Sequence, residues 1–157
     1  MKLNALTISA ITAITFLSAT SPALSADEYR LPAEVTRGEV RYITGGVGSD
    51  AAAAFKQAAA RYPLELQFVR KATPMDEFLS GVKVTIKNRA GAVVLDATSE
   101  GPYLLAQLPA GTYQIDADHA GVTKRQALEI RAGRHERAVF VWAAGADTAP
   151  SGLPNTK

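Results

Sequence analysis

The chain has no cysteine. That excludes disulfides, thiol catalysis and thiolate metal sites, so stability must come from a packed core. Histidine is almost as scarce: His119 and His135 are the only two. A zinc site built on them would need two more donors, and only carboxylates are available. Both lie near expected turns and read as surface histidines. No serine lies in a G-x-S-x-G elbow, so a nucleophilic triad has no support. An excess of charge is also missing. With Lys2 removed, 16 basic residues face 15 acidic ones. Nucleic-acid binding has no electrostatic footprint here, and no basic cluster marks an anionic membrane surface.

The first 25 residues read as a secretory signal peptide. Lys2 supplies the positive charge and Ala5–Leu17 an uncharged, mostly apolar run. "SATSPALSA" then places Ala23 and Ser25 at the cleavage-specifying positions. Cleavage is expected after Ser25, with Ala26 as the second choice. The run is too short to span a bilayer comfortably as an anchor. A periplasmic location is expected, with secretion as the alternative.

The remaining chain divides in two. Residues 26–39 form a polar leader with Pro32 and Gly38, expected to be loosely held. Val40–Thr44 is a strand. Ser49 or Asp50 is placed to cap a helix running to about Arg61, where Pro63 ends it. Ala51, Ala54, Phe55, Ala58 and Tyr62 fall on one face of that helix. "LELQFV", Leu64–Val69, is a second strand. Residues 40–69 therefore form a strand–helix–strand unit. From residue 80 to 142, short strands follow one another: 82–87, 92–96, 103–108, 112–119, 122–130 and 137–142. "VKVTIK" alternates cleanly, and "NRAG", "SEGP" and "PAG" are turns. The fold class is mainly β with one helix (α+β), an antiparallel β-sandwich preceded by the strand–helix–strand unit. "AVFVW", Ala138–Trp142, is apolar on both faces, so the strand–helix unit is expected to cover its second face. Residues 143–157 are small, Gly- and Pro-rich, and read as a disordered tail.

The stretch "GVKVTIKNRAGAVVLDATSEGPYLLAQLPAGTYQIDADHAG", Gly81–Gly121, resembles the carboxypeptidase regulatory-like domain. This is a transthyretin-like β-sandwich grouped with carbohydrate-binding-like folds. The resemblance rests on G-V-x-V-x-I, the polar turn at Gly91, S-x-G-P at Ser99–Pro102 and L-P-x-G-x-Y-x-I at Leu108–Ile115. With the last two strands it covers residues 80–142. It implies an accessory or interaction module in a small exported bacterial protein, not an enzyme. In metallopeptidases this domain sits beside the catalytic unit, and no H-x-x-E pair occurs here: His119 precedes Ala-Gly-Val and His135 precedes Glu-Arg-Ala. The C-terminal motif of transthyretin-like hydrolases is absent from "LPNTK".

Four constellations carry chemistry or mimic it. Read from Gly46, "GVGSDA" spells the dinucleotide signature G-x-G-x-x-A, with Glu65 19 positions on. Glu65 lies at the start of its strand, where a ribose-binding acid belongs at the end. A tight turn with close helix–sheet packing is the preferred reading. Asp116 and Asp118 share a polar strand face with Gln114; a calcium site is the sharp reading, a solvated face opposite Lys83 or Lys87 the bland one. Tyr113 and Phe140 are expected in the core. Tyr103 and Trp142 are the candidate ligand contacts, as a platform for a glycan or an extended peptide. No metal or cofactor is expected. The favoured function is protein–protein interaction or assembly with an unidentified protein partner; the alternative is carbohydrate or cell-wall glycan binding by Tyr103 or Trp142 beside Gln107 or Asp118.

Overall fold

The computed structural model describes residues 29–145; the expected signal peptide, and the tail beyond Gly145, lie outside the described residues. In chain order the elements are β1 (Val35–Arg37), β2 (Val40–Gly45), α1 (Ser49–Ala59), β3 (Leu64–Arg70), β4 (Glu77–Phe78) and β5 (Lys83–Asn88). They continue with β6 (Val93–Thr98), β7 (Tyr103–Gln107), β8 (Gly111–His119), β9 (Val122–Ile130) and β10 (Glu136–Trp142).

All six strands expected after residue 80 are present, and they are dealt between two sheets. The smaller sheet runs β6-β5-β8-β9, antiparallel throughout. Its alternation comes straight from the sequence. Val84, Ile86, Ile115 and Ala117 point to the core, while Lys83, Thr85, Asp116 and Asp118 point out. The turn from β5 to β6 is closed by Asn88, whose Oδ1 accepts the N–H groups of Ala90 and Ala92, both at 3.0 Å.

The larger sheet runs β1-β2-β7-β3-β10, with β4 pairing the end of β3. Strand β7 is antiparallel to both β2 and β3. So the strand–helix–strand unit is split: its two strands are parallel but β7 lies between them. Strand β10 pairs β3 in parallel, from Glu136 opposite Leu64 to Trp142 opposite Arg70. The β-sandwich is therefore not an appendage following the first half, because each half of the chain supplies strands to the larger sheet.

The core fills the gap between the sheets. Leu64, Leu66, Phe68, Leu104, Ala106, Phe140 and Trp142 from the larger sheet meet Val84, Ile86, Leu95, Ile115 and Ala117 from the smaller one. Tyr113 and Phe140 are core residues, as expected. A second cluster lies on the opposite face of the larger sheet. There Phe55, Ala58 and Ala59 of α1 pack on Ile43, Tyr103 and Leu105.

Three local expectations differ. Within the described part of the leader, residues 35–37 form a hairpin with β2 and Leu31 packs against the helix cluster, so that part is held. Its Glu34 accepts the Tyr62 hydroxyl at 2.8 Å. Gly48, not Ser49 or Asp50, occupies the N-cap, and α1 ends at Ala59. Finally, α1 lies over β2 and β7 and leaves β10 uncovered. Val139 and Val141 are 37% and 40% exposed, so the expected cover of that strand is absent from the described residues.

Candidate functional site

The outer face of the larger sheet can be read in rows, because paired residues share a face. One row is Arg137, Glu65, Leu105 and Ile43, from β10 to β2. The next is Val139, Gln67, Tyr103 and Gly45. The third is Val141, Val69 and Phe78. Helix α1 covers the β2 and β7 end of these rows. At the β3 and β10 end Glu65 and Gln67 are buried among their partners, and Arg137, Val139, Val141 and Phe78 form an open strip with the half-buried Val69. Phe78 is 59% exposed, and with Val139, Val141 and the half-buried Val69 it makes the strip apolar along one end. Short polar strands in water normally place charged side chains on such a face; contiguous apolar ones mark contact surfaces.

The other end of the strip is polar and tightly bonded. Glu65 is buried at its base, its side chain 8% exposed. His135 Nε2 lies 3.0 Å from Glu65 Oε2, and Arg137 Nε lies 3.4 Å from Glu65 Oε1. Arg137 also donates to Gln67 Oε1. His135 Nδ1 lies 2.8 Å from the Tyr62 carbonyl oxygen. Each imidazole nitrogen thus faces an oxygen of another residue. Removing either partner would leave a buried carboxylate undercompensated, which is the costly state for an ion pair. The arrangement ties the start of β10 to the start of β3.

Tyr103 stands between the covered half and the bare strip. Its ring lies 6.0 Å from Phe55 of α1 and 6.4 Å from Phe78, centroid to centroid. Its hydroxyl accepts from Gln67 Nε2 at 3.4 Å. Burial, followed by the nearby Glu65 charge, raises the phenol above its ordinary pKa. The expected ligand platform is therefore buried, as is Trp142. Strand phase decides the latter: Ala138, Phe140 and Trp142 share the inward face of β10. There Trp142 meets Phe140 and the His119 ring, and its Nε1–H donates to the Val122 carbonyl at 2.8 Å. The Gln107 amide donates to the Arg61 carbonyl at 2.9 Å.

The other constellations resolve on geometry. Gly45, Gly46 and Gly48 all have positive φ. A Cβ on Gly46 would overlap the Tyr103 ring, and one on Gly101 would overlap the Gly45 backbone. The glycines thus serve a tight turn and close packing. Strand β7 also separates β2 from β3, whereas a dinucleotide fold keeps those strands adjacent. Asp116 bonds Arg125 at 2.6 Å and Lys87 at 3.4 Å, and these partners hold its carboxyl below the usual aspartate range, Arg125 foremost. Asp118 accepts from Thr123 at 2.7 Å. His119 and His135 sit apart, one against Trp142 and the other at the opposite end of β10. Among the described residues, no three His, Asp or Glu side chains gather as a metal site would require.

Sequence reasoning missed Phe78, Val139, Val141, Glu65 and Arg137 as one surface. The double-sided apolar pattern of "AVFVW" was the available signal. It was read as evidence of intramolecular cover. No family model matches the chain, and no curated protein matches it. Among solved structures, the chain is similar to the major pilin subunit BcpA of Bacillus cereus and to a variant of it. The variant aligns at 16% identity with a TM-score of 0.35, the parent at 14% with 0.33. Each alignment covers 51% of this chain and 28% of the pilin chain, so only about a quarter of that subunit is spanned. TM-scores this low carry no argument about function.

Proposed function

We propose that this protein is an exported, non-enzymatic β-sandwich module that docks onto another protein through the bare strip of its larger sheet. The periplasm is the proposed compartment, with secretion as the alternative. The observation that carries the reading is the apolar row Val141–Val69–Phe78 with Val139 beside it, left open where α1 stops. The smaller sheet makes the contrast, since its outer face is filled by paired charges such as Asp116 with Arg125 and Lys87. The resemblance of Gly81–Gly121 to the carboxypeptidase regulatory-like domain supports an accessory role. Its L-P-x-G-x-Y turn is closed here by the Tyr113 hydroxyl donating to the Pro109 carbonyl at 3.0 Å. The glycan alternative rested on open faces of Tyr103 or Trp142, and both are buried.

The test is site-specific photo-crosslinking in intact cells. A benzophenone side chain is placed at Val141, and at Ala127 on the smaller sheet as control. Crosslinks to one protein from Val141 and not from Ala127 are expected. Crosslinks from Ala127 alone, or equal diffuse labelling from both, would sink the reading.

A further inference from the structure

An open sheet ends on strands whose outer backbone groups lack a ladder partner, and such an edge is a template for another chain. The larger sheet ends on β1 and β10, the smaller on β6 and β9. Three of these edges carry features that discourage pairing. Strand β1 has only 3 residues. Strand β6 runs beside a register shift between Ile86 and Lys87 of its neighbour. Strand β9 has Lys124 on its inward row, opposite the buried Ala117, and an inward charge penalises a strand added there. Strand β10 has none of these features. Its 7 residues keep unbroken register with β3, without proline or lysine, and its charges, Glu136 and Arg137, stand at its start.

The phase of β10 fixes which groups lie on the edge. The Glu136 N–H donates to the Pro63 carbonyl at 2.8 Å, and the Lys71 N–H donates to the Trp142 carbonyl at 2.9 Å. Residues 136, 138, 140 and 142 therefore bond towards β3, while Arg137, Val139 and Val141 turn their N–H and C=O groups away from it. The Val139 carbonyl shows this directly, since it accepts from Gln126 Nε2 of β9 at 2.9 Å. A carbonyl oxygen has two lone pairs, so that bond leaves room for a second donor. Among the described residues, no strand pairs this side of β10.

The edge is complementary to itself. Two copies of β10 set antiparallel about a two-fold axis at Val139 bring Val139 opposite Val139, and Arg137 opposite Val141 of the second copy. Every residue that bonds outward then meets another that does so. The arrangement also keeps like charges apart. The two Arg137 residues lie at opposite ends of the joint, about 13 Å from each other along the strands. We infer that this protein pairs with a second copy of itself, edge to edge, through antiparallel β10 strands centred on Val139. The pairing goes beyond the docking surface. It uses backbone groups at the edge and leaves the apolar side chains of the strip on a face that continues from one copy to the next.

The chain has no cysteine, so one introduced thiol reports one position. Val139→Cys sets two thiols opposite each other, with Cα atoms about 5.5 Å apart and within disulfide range. Val141→Cys leaves its two thiols about 13 Å apart along the strands, out of range. Under mild oxidation of the chain from Ala26 onward, Val139→Cys is expected to form a disulfide dimer at least tenfold faster than Val141→Cys. Equal rates, or no dimer from either, overturn the inference. Sedimentation of the same chain without cysteine gives a second readout, in which a concentration-dependent dimer is expected. Val141→Glu, opposite Arg137 of the second copy, should tighten it about threefold or more, and Val141→Lys should weaken it by a similar factor. Circular dichroism checks that each variant folds. A monomer throughout, or a dimer indifferent to both charges, overturns the inference. A chain ending at Gly145 that dimerises where the longer chain does not would make the tail the occupant of the edge, and also overturns it. The two readings fail separately. A monomer whose Val141 photo-crosslinks reach another protein keeps the docking surface and sinks the pairing. A dimer of this geometry without such crosslinks keeps the pairing and sinks the docking surface.

Discussion

Phe55 and Val141 belong to the two halves of one sheet face. Under α1, Phe55 is fully buried against Tyr103, Ile43 and Leu105, and belongs to the protein's own stability. On the bare strip, Val141 is 40% exposed and contributes little to it. The same surface is thus half interior and half contact. The lesson is that a sheet face is defined by what lies on it, and a single helix of 11 residues covers only two strands of this one.

The sharpest way to break that comparison is a pair of substitutions. Phe55→Ala should destabilise the fold by about 3–5 kcal/mol in urea titrations, through lost burial and the cavity left behind. Val141→Lys should change it by no more than about 0.5 kcal/mol. Similar losses for both would mean that the strip is interior after all.

A second test sharpens the covered half by pH. The Tyr62 phenol is pushed up to about 12, by burial first and then by its hydrogen bond to Glu34. An unfolded phenol ionises near 10. Between those values the unfolded chain has lost a proton that the folded one keeps. Stability from this group is therefore full below about pH 10 and is lost as pH rises to about 12, by roughly 2 kcal/mol in all. Tyr62→Phe should flatten that decline in urea midpoints measured from pH 9 to 11. An unchanged slope would place the alkaline sensitivity elsewhere.

The smallest effect is expected on the smaller sheet. Asp116 has its pKa lowered, by its bond to Arg125 first and by Lys87 as well. Its stabilising contribution is present above the ordinary aspartate range, near pH 4, and is lost as pH falls through the lower folded value. Asp116→Asn should cost no more than about 1 kcal/mol at neutral pH and little at pH 2, read by thermal unfolding. A larger loss would show that this polar face is more than a solvated surface.

Much of this was legible along the chain. "VKVTIK" gave a strand and its inward side, because residue alternation sets which side chains share a face. "LPAGTY" gave a turn, because Pro and Gly restrict and free the backbone where a reversal needs it. The helix was legible from the spacing of Ala51, Phe55, Ala58 and Tyr62. Sheet membership was not. Nothing local in "RAVFVW" states that it pairs in parallel with "LELQFV", about 70 residues earlier. Glu65 could not be joined to His135 and Arg137 for the same reason. Tyr103 could not be placed from a strand that is apolar on both faces, and only the position of α1 and Phe78 decides that its own face is filled.

By itself, then, the sequence determined most of the elements, apart from the short β1 and β4, the inward faces of the strands that alternate, and the reliance on a packed core without disulfides. These follow from backbone geometry, periodicity and composition, which act between near neighbours. The tertiary structure decided which strands share a sheet, that β7 splits the strand–helix–strand unit, and that β10 lies beyond the reach of α1. Those are outcomes of long-range pairing, where competing registers differ by the fit of whole surfaces. The bare strip exists only at that level. Its side chains come from 69, 78 and 137–141, and the sheet alone makes them neighbours.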